Sequence, residues 1–225
     1  MTDEQHSWLW AFARGDAPGA EFERWFLDQE GLEAALGDEL HWELQSGDYR
    51  DKDTVWLMRK ALREALAAQA SCECLATRDV TAVAMGSDEA RTVFETLDRV
   101  VTYGPEKWWL YLSKCRTCGT IWLIAQDERI YDEFYLARTD EAALTDALSG
   151  KWPDRFRTYE SVLAIGRELN HPPQFLDPMS NALLATIEDL FEERPGISVR
   201  EIGHLLGLTD EHAAALVNMV RKRTG

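Results

Sequence analysis

Apolar positions in the first seventy residues recur at helical spacing. Phe22, Trp25 and Phe26 fall on one helical face, and Leu32, Ala35 and Leu36 on another. Gly37 is placed to end the second of these helices. Thr54 can cap the helix that follows. The apolar stripe of that helix is Val55, Met58, Leu62, Ala65 and Leu66, with Arg59, Lys60, Arg63 and Glu64 mostly off it. The character then changes. Residues 80–85 read as a strand, and Ser87-Asp88-Glu89 opens a helix to about residue 97 with its acids in the first turn. From Val100 onward the period becomes two. Trp108, Leu110 and Leu112 alternate with Trp109, Tyr111 and Ser113, and Ile121, Leu123 and Ala125 alternate with Trp122 and Ile124. Asp127-Glu128-Arg129 can turn the chain into a further strand over 130–136, giving a β-meander of about three strands. Helical spacing returns over 140–148 and 158–169. Asn170-His171-Pro172-Pro173 stops the second of these, and a Pro-bearing linker runs to Pro178. Three further helices fit 179–193, 199–206 and 210–221.

This order predicts an α+β chain in three parts. Residues 1–70 form a helical module, 71–139 a small antiparallel β region, and 140–225 a helical C-terminal module with a trihelical end over 179–223. A length of 225 residues with 45% hydrophobic content supports a core without disulfide staples. No run of about 18 apolar residues exists, so no membrane span is expected. The start, Met1-Thr2-Asp3-Glu4-Gln5-His6, lacks the basic and apolar stretches of a signal peptide, so a cytoplasmic chain with reduced thiols is expected. The formal net charge is -16, from 24 basic and 40 acidic residues. Residues 1–70 carry 15 acids and 7 bases, half of that excess. Such a charge disfavours non-specific binding to nucleic acid or anionic membranes.

The four cysteines fall as two close pairs, Cys72-Glu73-Cys74 and Cys115-Arg116-Thr117-Cys118-Gly119. A Cys-x-x-Cys-Gly turn between β segments presents two thiolates to one side, with the glycine relieving the tight backbone. A tetrahedral zinc ion needs two such pairs, with Zn–S distances of about 2.3 Å. Cys72, Cys74, Cys115 and Cys118 are therefore the predicted ligands of one structural zinc. With four thiolates the ion has no open coordination position and stabilises a fold rather than catalysing. A redox dithiol at Cys115/Cys118, or plain core thiols, are the other readings of the same residues. The middle segment resembles a zinc ribbon, with the two cysteine pairs matching its knuckles.

No catalytic constellation is evident. None of His6, His41, His171, His204 and His212 falls in an HExxH-type pair or near a nucleophile elbow, and no glycine-rich phosphate loop is present. His204 lies between apolar residues and reads as structural. The chain is expected not to be an enzyme. In the last part, Ser198-Val199-Arg200-Glu201 has capping-box spacing, and Ile202-Gly203-His204-Leu205-Leu206-Gly207-Leu208-Thr209 resembles a helix-turn-helix. The candidate recognition helix begins Asp210-Glu211-His212, without the basic or amide side chains that reach phosphates and base edges. A packing or dimerisation module and a DNA-binding module are both open readings of it.

Glu21-Phe22-Glu23-Arg24-Trp25, then residues 32–40, then Ser46-Gly47-Asp48-Tyr49-Arg50-Asp51-Lys52-Asp53 and the helix to Leu66, resemble bacterial contact-dependent growth-inhibition immunity proteins. The resemblance covers about 50 residues. It implies a protein that neutralises one cognate toxin by stoichiometric binding. Many toxin domains are basic nucleases, and an inhibitor of this charge would be steered to them electrostatically. Asp38, Glu39, Asp48, Asp51 and Asp53 are the candidate partner-binding acids. The alternative function is a transcriptional regulator that uses 179–223 on DNA.

Overall fold

The protein is described here from a computed structural model, which covers residues 1–104, 109–169 and 180–224. Trp108 in the strand alternation, the helix stop at 170–173, the linker to Pro178 and the expected helix start at Met179 lie outside the described residues. Among the described residues the chain is α+β, with eleven helices and one five-stranded antiparallel sheet. It divides into two compact units, residues 1–78 and 79–225. The three-part reading placed its boundaries after residues 70 and 139. The sheet and the helices after residue 140 share one core.

The first unit contains α1 (Asp3–Arg14), α2 (Gly19–Leu27), α3 (Leu32–Leu36), α4 (Asp38–Ser46) and α5 (Lys52–Ala67). Thr2 and Gln5 form a capping box that starts α1. Leu9, Phe12 and Ala13 face inward from α1, and Met58, Leu62 and Leu66 repeat every fourth residue on α5 to meet them. Phe12 stacks on Phe22 of α2 with centroids 3.9 Å apart. The cap of α5 is not Thr54. Asp51 takes that place, accepting hydrogen bonds from the Thr54 backbone N–H at 2.8 Å and from its hydroxyl. An Asp four residues before the first apolar position, Val55, accepts the Thr54 amide, so the helix begins earlier than its stripe.

The second unit contains β1 (Val80–Ala84), α6 (Asp88–Glu95), β2 (Leu97–Thr102), β3 (Leu110–Cys115), β4 (Ile121–Asp127) and β5 (Glu133–Thr139). The sheet order is β1-β5-β4-β3-β2. The strand read over 80–85 is β1 and the three-strand meander is β3, β4 and β5; β2 is the strand the alternation did not predict. β2 is an edge strand with exposed Asp98, Arg99 and Val100, so it shows little alternation, and β1 joins by pairing with distant β5. The last strand also begins at Glu133 rather than residue 130, because the turn after β4 runs longer than three residues. α7 (Glu141–Leu148), α8 (Tyr159–Glu168), α9 (Asn181–Glu193), α10 (Val199–Leu206) and α11 (Asp210–Thr224) follow. One sheet face, with Leu110, Leu112, Leu123, Ala125 and Tyr135, shares its core with Val162 and Leu163 of α8 and Leu183, Ile187 and Leu190 of α9. The helices α9, α10 and α11 pack as a trihelical end, with Gly207 left-handed between the last two. No helix among the described residues is long and apolar enough to cross a membrane.

Candidate metal centre

The turn from β3 to β4 builds half of the site. The Cys115 N–H donates to the Thr120 carbonyl at 2.8 Å, and the Gly119 N–H donates to the Cys115 carbonyl at 2.9 Å. The tight closure needs a positive φ, and Gly119 supplies it at +77°. Cys115 is buried and Cys118 exposed. The residue after α6, Thr96, backs the turn. Its carbonyl accepts from the Arg116 N–H at 2.9 Å, and its hydroxyl oxygen lies 3.3 Å from the Cys115 Sγ.

Cys72 and Cys74 lie in the turns that follow α5, where the Thr77 N–H and hydroxyl both donate to the Glu73 carbonyl at 2.9 and 2.8 Å. Cys72 is half-buried and Cys74 buried. This pair is on a helix-to-strand connection, not a hairpin, so the likeness to a two-knuckle ribbon is confined to the Cys115/Cys118 half.

The four Sγ atoms of Cys72, Cys74, Cys115 and Cys118 all lie within 4.8 Å of one another. A tetrahedral ion at Zn–S distances of about 2.3 Å would hold its sulfurs about 3.8 Å apart, so small rotations close the set on one metal. No disulfide joins any of the four. Burial pushes the Cys115 thiol up, but hydrogen bonds from Thr96, from the Cys118 and Thr117 backbone and from the Cys118 side chain outweigh it and hold the thiol low, at about 6. A thiolate at neutral pH is the form that ligates metal. Four close cysteines can hold a metal ion here, and an all-sulfur set leaves no position for a substrate.

The five candidate partner-binding acids take local positions in α4, α5 and the loop between them. Asp38 and Glu39 are in the first turn of α4 and Asp53 in the first turn of α5, where negative charge suits the helix dipole. Asp48 accepts from the Arg50 N–H at 3.0 Å. Asp51 caps α5, and its hydrogen bonds from Thr54 keep its carboxyl below the usual range. His204, read as structural, is exposed on α10 instead, because the buried stripe of that helix runs through Ile202, Leu205 and Leu206. His41 packs against Phe26 with ring centroids 5.3 Å apart.

Comparison of the chain with protein families, with curated proteins and with solved structures finds no match.

Proposed function

We propose that the chain is a cytoplasmic, non-enzymatic, immunity-like protein that neutralises a cognate protein toxin by stoichiometric binding, on a scaffold stabilised by one structural zinc. The observation that carries the reading is the all-cysteine cluster at Cys72, Cys74, Cys115 and Cys118, whose sulfurs lie within 4.8 Å of one another. A metal closed in by four thiolates stiffens a surface and does no chemistry on a substrate. What remains for such a chain is docking. Two features favour a basic partner. The net charge of -16 raises the encounter rate with a cationic protein, and residues 21–66 resemble growth-inhibition immunity proteins. Asp38, Glu39, Asp48, Asp51 and Asp53 are the acids proposed to meet it.

The trihelical packing of α9, α10 and α11 favours a second reading, a transcriptional regulator. Asp210 and Glu211 at the start of α11 oppose phosphate there and make it the weaker of the two.

Affinity capture with the zinc-loaded chain from its native cells tests the reading. It should return one basic protein in a 1:1 complex that weakens as salt rises, and co-expression with this chain should suppress that protein's toxicity. Retention of promoter duplex instead, or a captured protein whose activity the chain leaves intact, would overturn it.

A further inference from the structure

The first 78 residues hold sixteen acids and eight bases, yet seven of those eight bases line one continuous groove on α5. One end, of about 410 Å³, is lined by Arg14, Arg59, Lys60, Arg63 and Arg78 beside Trp56. The adjoining end, of about 370 Å³, shares Trp56 and Arg59 and adds Tyr49, Arg50 and Lys52. No carboxylate lines either end. We propose that this groove is a nucleotide-binding site, with phosphate held by the guanidinium groups and the base stacked on Trp56.

The cations are held in place without being neutralised. Arg59 donates to the Ala17 carbonyl at 3.0 Å, Arg63 to the Ala13 carbonyl at 3.3 Å and Arg78 to the Arg14 carbonyl at 2.7 Å. The Ala13 and Arg14 oxygens belong to the C-terminal end of α1, whose dipole carries only about half a charge, and the Ala17 oxygen to the turn after it. The one carboxylate paired with the group, among the described residues, is Asp16, 2.7 Å from Arg14 and 3.1 Å from Arg78. Six positive charges of the seven are thus left over. In a chain with twice as many acids as bases in this unit, an ordinary surface would pair them.

The space between two of the guanidiniums is open. A Cβ placed on Gly15 would lie 3.4 Å from an Arg59 nitrogen and 3.8 Å from an Arg78 nitrogen, so both groups face one small gap over the glycine backbone. Planar guanidinium groups match phosphate oxygens there two at a time. Trp56 is 62% exposed, and Lys60 occupies one approach at 5.8 Å from its centroid. A flat exposed ring beside uncompensated cations suits a base with its phosphate better than a carboxylate side chain, which gains nothing from the ring. Each end of the groove has the size of a small-ligand pocket. The acidic remainder of the chain is screened beyond about 8–10 Å at 0.1–0.15 M salt, so the groove acts locally.

Titration calorimetry of the zinc-loaded full chain at 0.1 M salt, without magnesium, tests the proposal with ATP, tripolyphosphate, adenosine, a 5′-phosphorylated pentadeoxyadenylate and an octaglutamate peptide. ATP should bind once per chain. Tripolyphosphate should bind at least about five-fold more weakly, the low end of what stacking on an aromatic ring contributes. Adenosine should give no heat. Trp56→Ala should reduce ATP to the tripolyphosphate level and leave tripolyphosphate unchanged, while Lys60→Glu should weaken both. Both residues are exposed, and unchanged far-UV circular dichroism would verify folding. Pentadeoxyadenylate tighter than ATP would name a strand end as the source, and weaker would name a free nucleotide; either order supports the site. Absence of ATP binding at millimolar concentration, equal binding of ATP and tripolyphosphate, or octaglutamate binding as tightly as ATP would overturn it.

Discussion

Asp127 ends β4 with its side chain 1% exposed. Its Oδ1 accepts from the Tyr159 hydroxyl at 2.6 Å and from the backbone N–H groups of Arg129 and Ile130 at 3.0 and 3.3 Å, while Oδ2 has no partner among the described residues. Burial pushes this carboxyl up, against the pull of those hydrogen bonds and of Arg129. The sign of its effect on stability follows. Below about pH 4 both folded and unfolded chains hold the proton and the group contributes nothing. As pH rises, the unfolded chain ionises first, and stability is lost until the folded carboxyl also ionises. Asp127→Asn keeps the Tyr159 acceptor and carries no charge. Urea unfolding from pH 4 to pH 7 should show the native chain losing stability relative to Asp127→Asn. Parallel curves would show that Asp127 is already ionised throughout.

At the scale of elements, the turn that carries Cys115 and Cys118 depends on Gly119. An added Cβ would meet nothing closer than 3.9 Å, so Gly119→Ala meets a backbone penalty rather than a clash. With φ at +77°, that penalty should be about 1 kcal/mol, read by urea unfolding of the metal-loaded chain. An unchanged midpoint would mean that the turn relaxes freely. This element was legible beforehand because Cys-x-x-Cys-Gly names both its cysteines and its bend. The strong stripes of α5 and α9 were legible for the same kind of reason. Other elements were not. α4 buries only Leu44, so it leaves no stripe to read. β2 lies at an edge with three exposed residues in a row. The start of α5 was misread because Asp51 accepts from the amide three residues on, that of Thr54, and so starts the helix before it.

At the scale of the molecule, counting charge along the chain hid the groove. Arg14 and Arg78 are 64 residues apart and meet only in three dimensions, and the acids between them give residues 1–70 a negative sum. The four-cysteine cluster was more visible, because two short cysteine pairs need only meet once. Whether they hold an ion is the question on which the scaffold rests. Metal analysis of the chain purified without added zinc answers it most directly. About one zinc per chain is expected, lost in Cys115→Ser and Cys118→Ser together with stability of the fold. Less than a tenth of a zinc per chain, with all four thiols titrating freely, would contradict it.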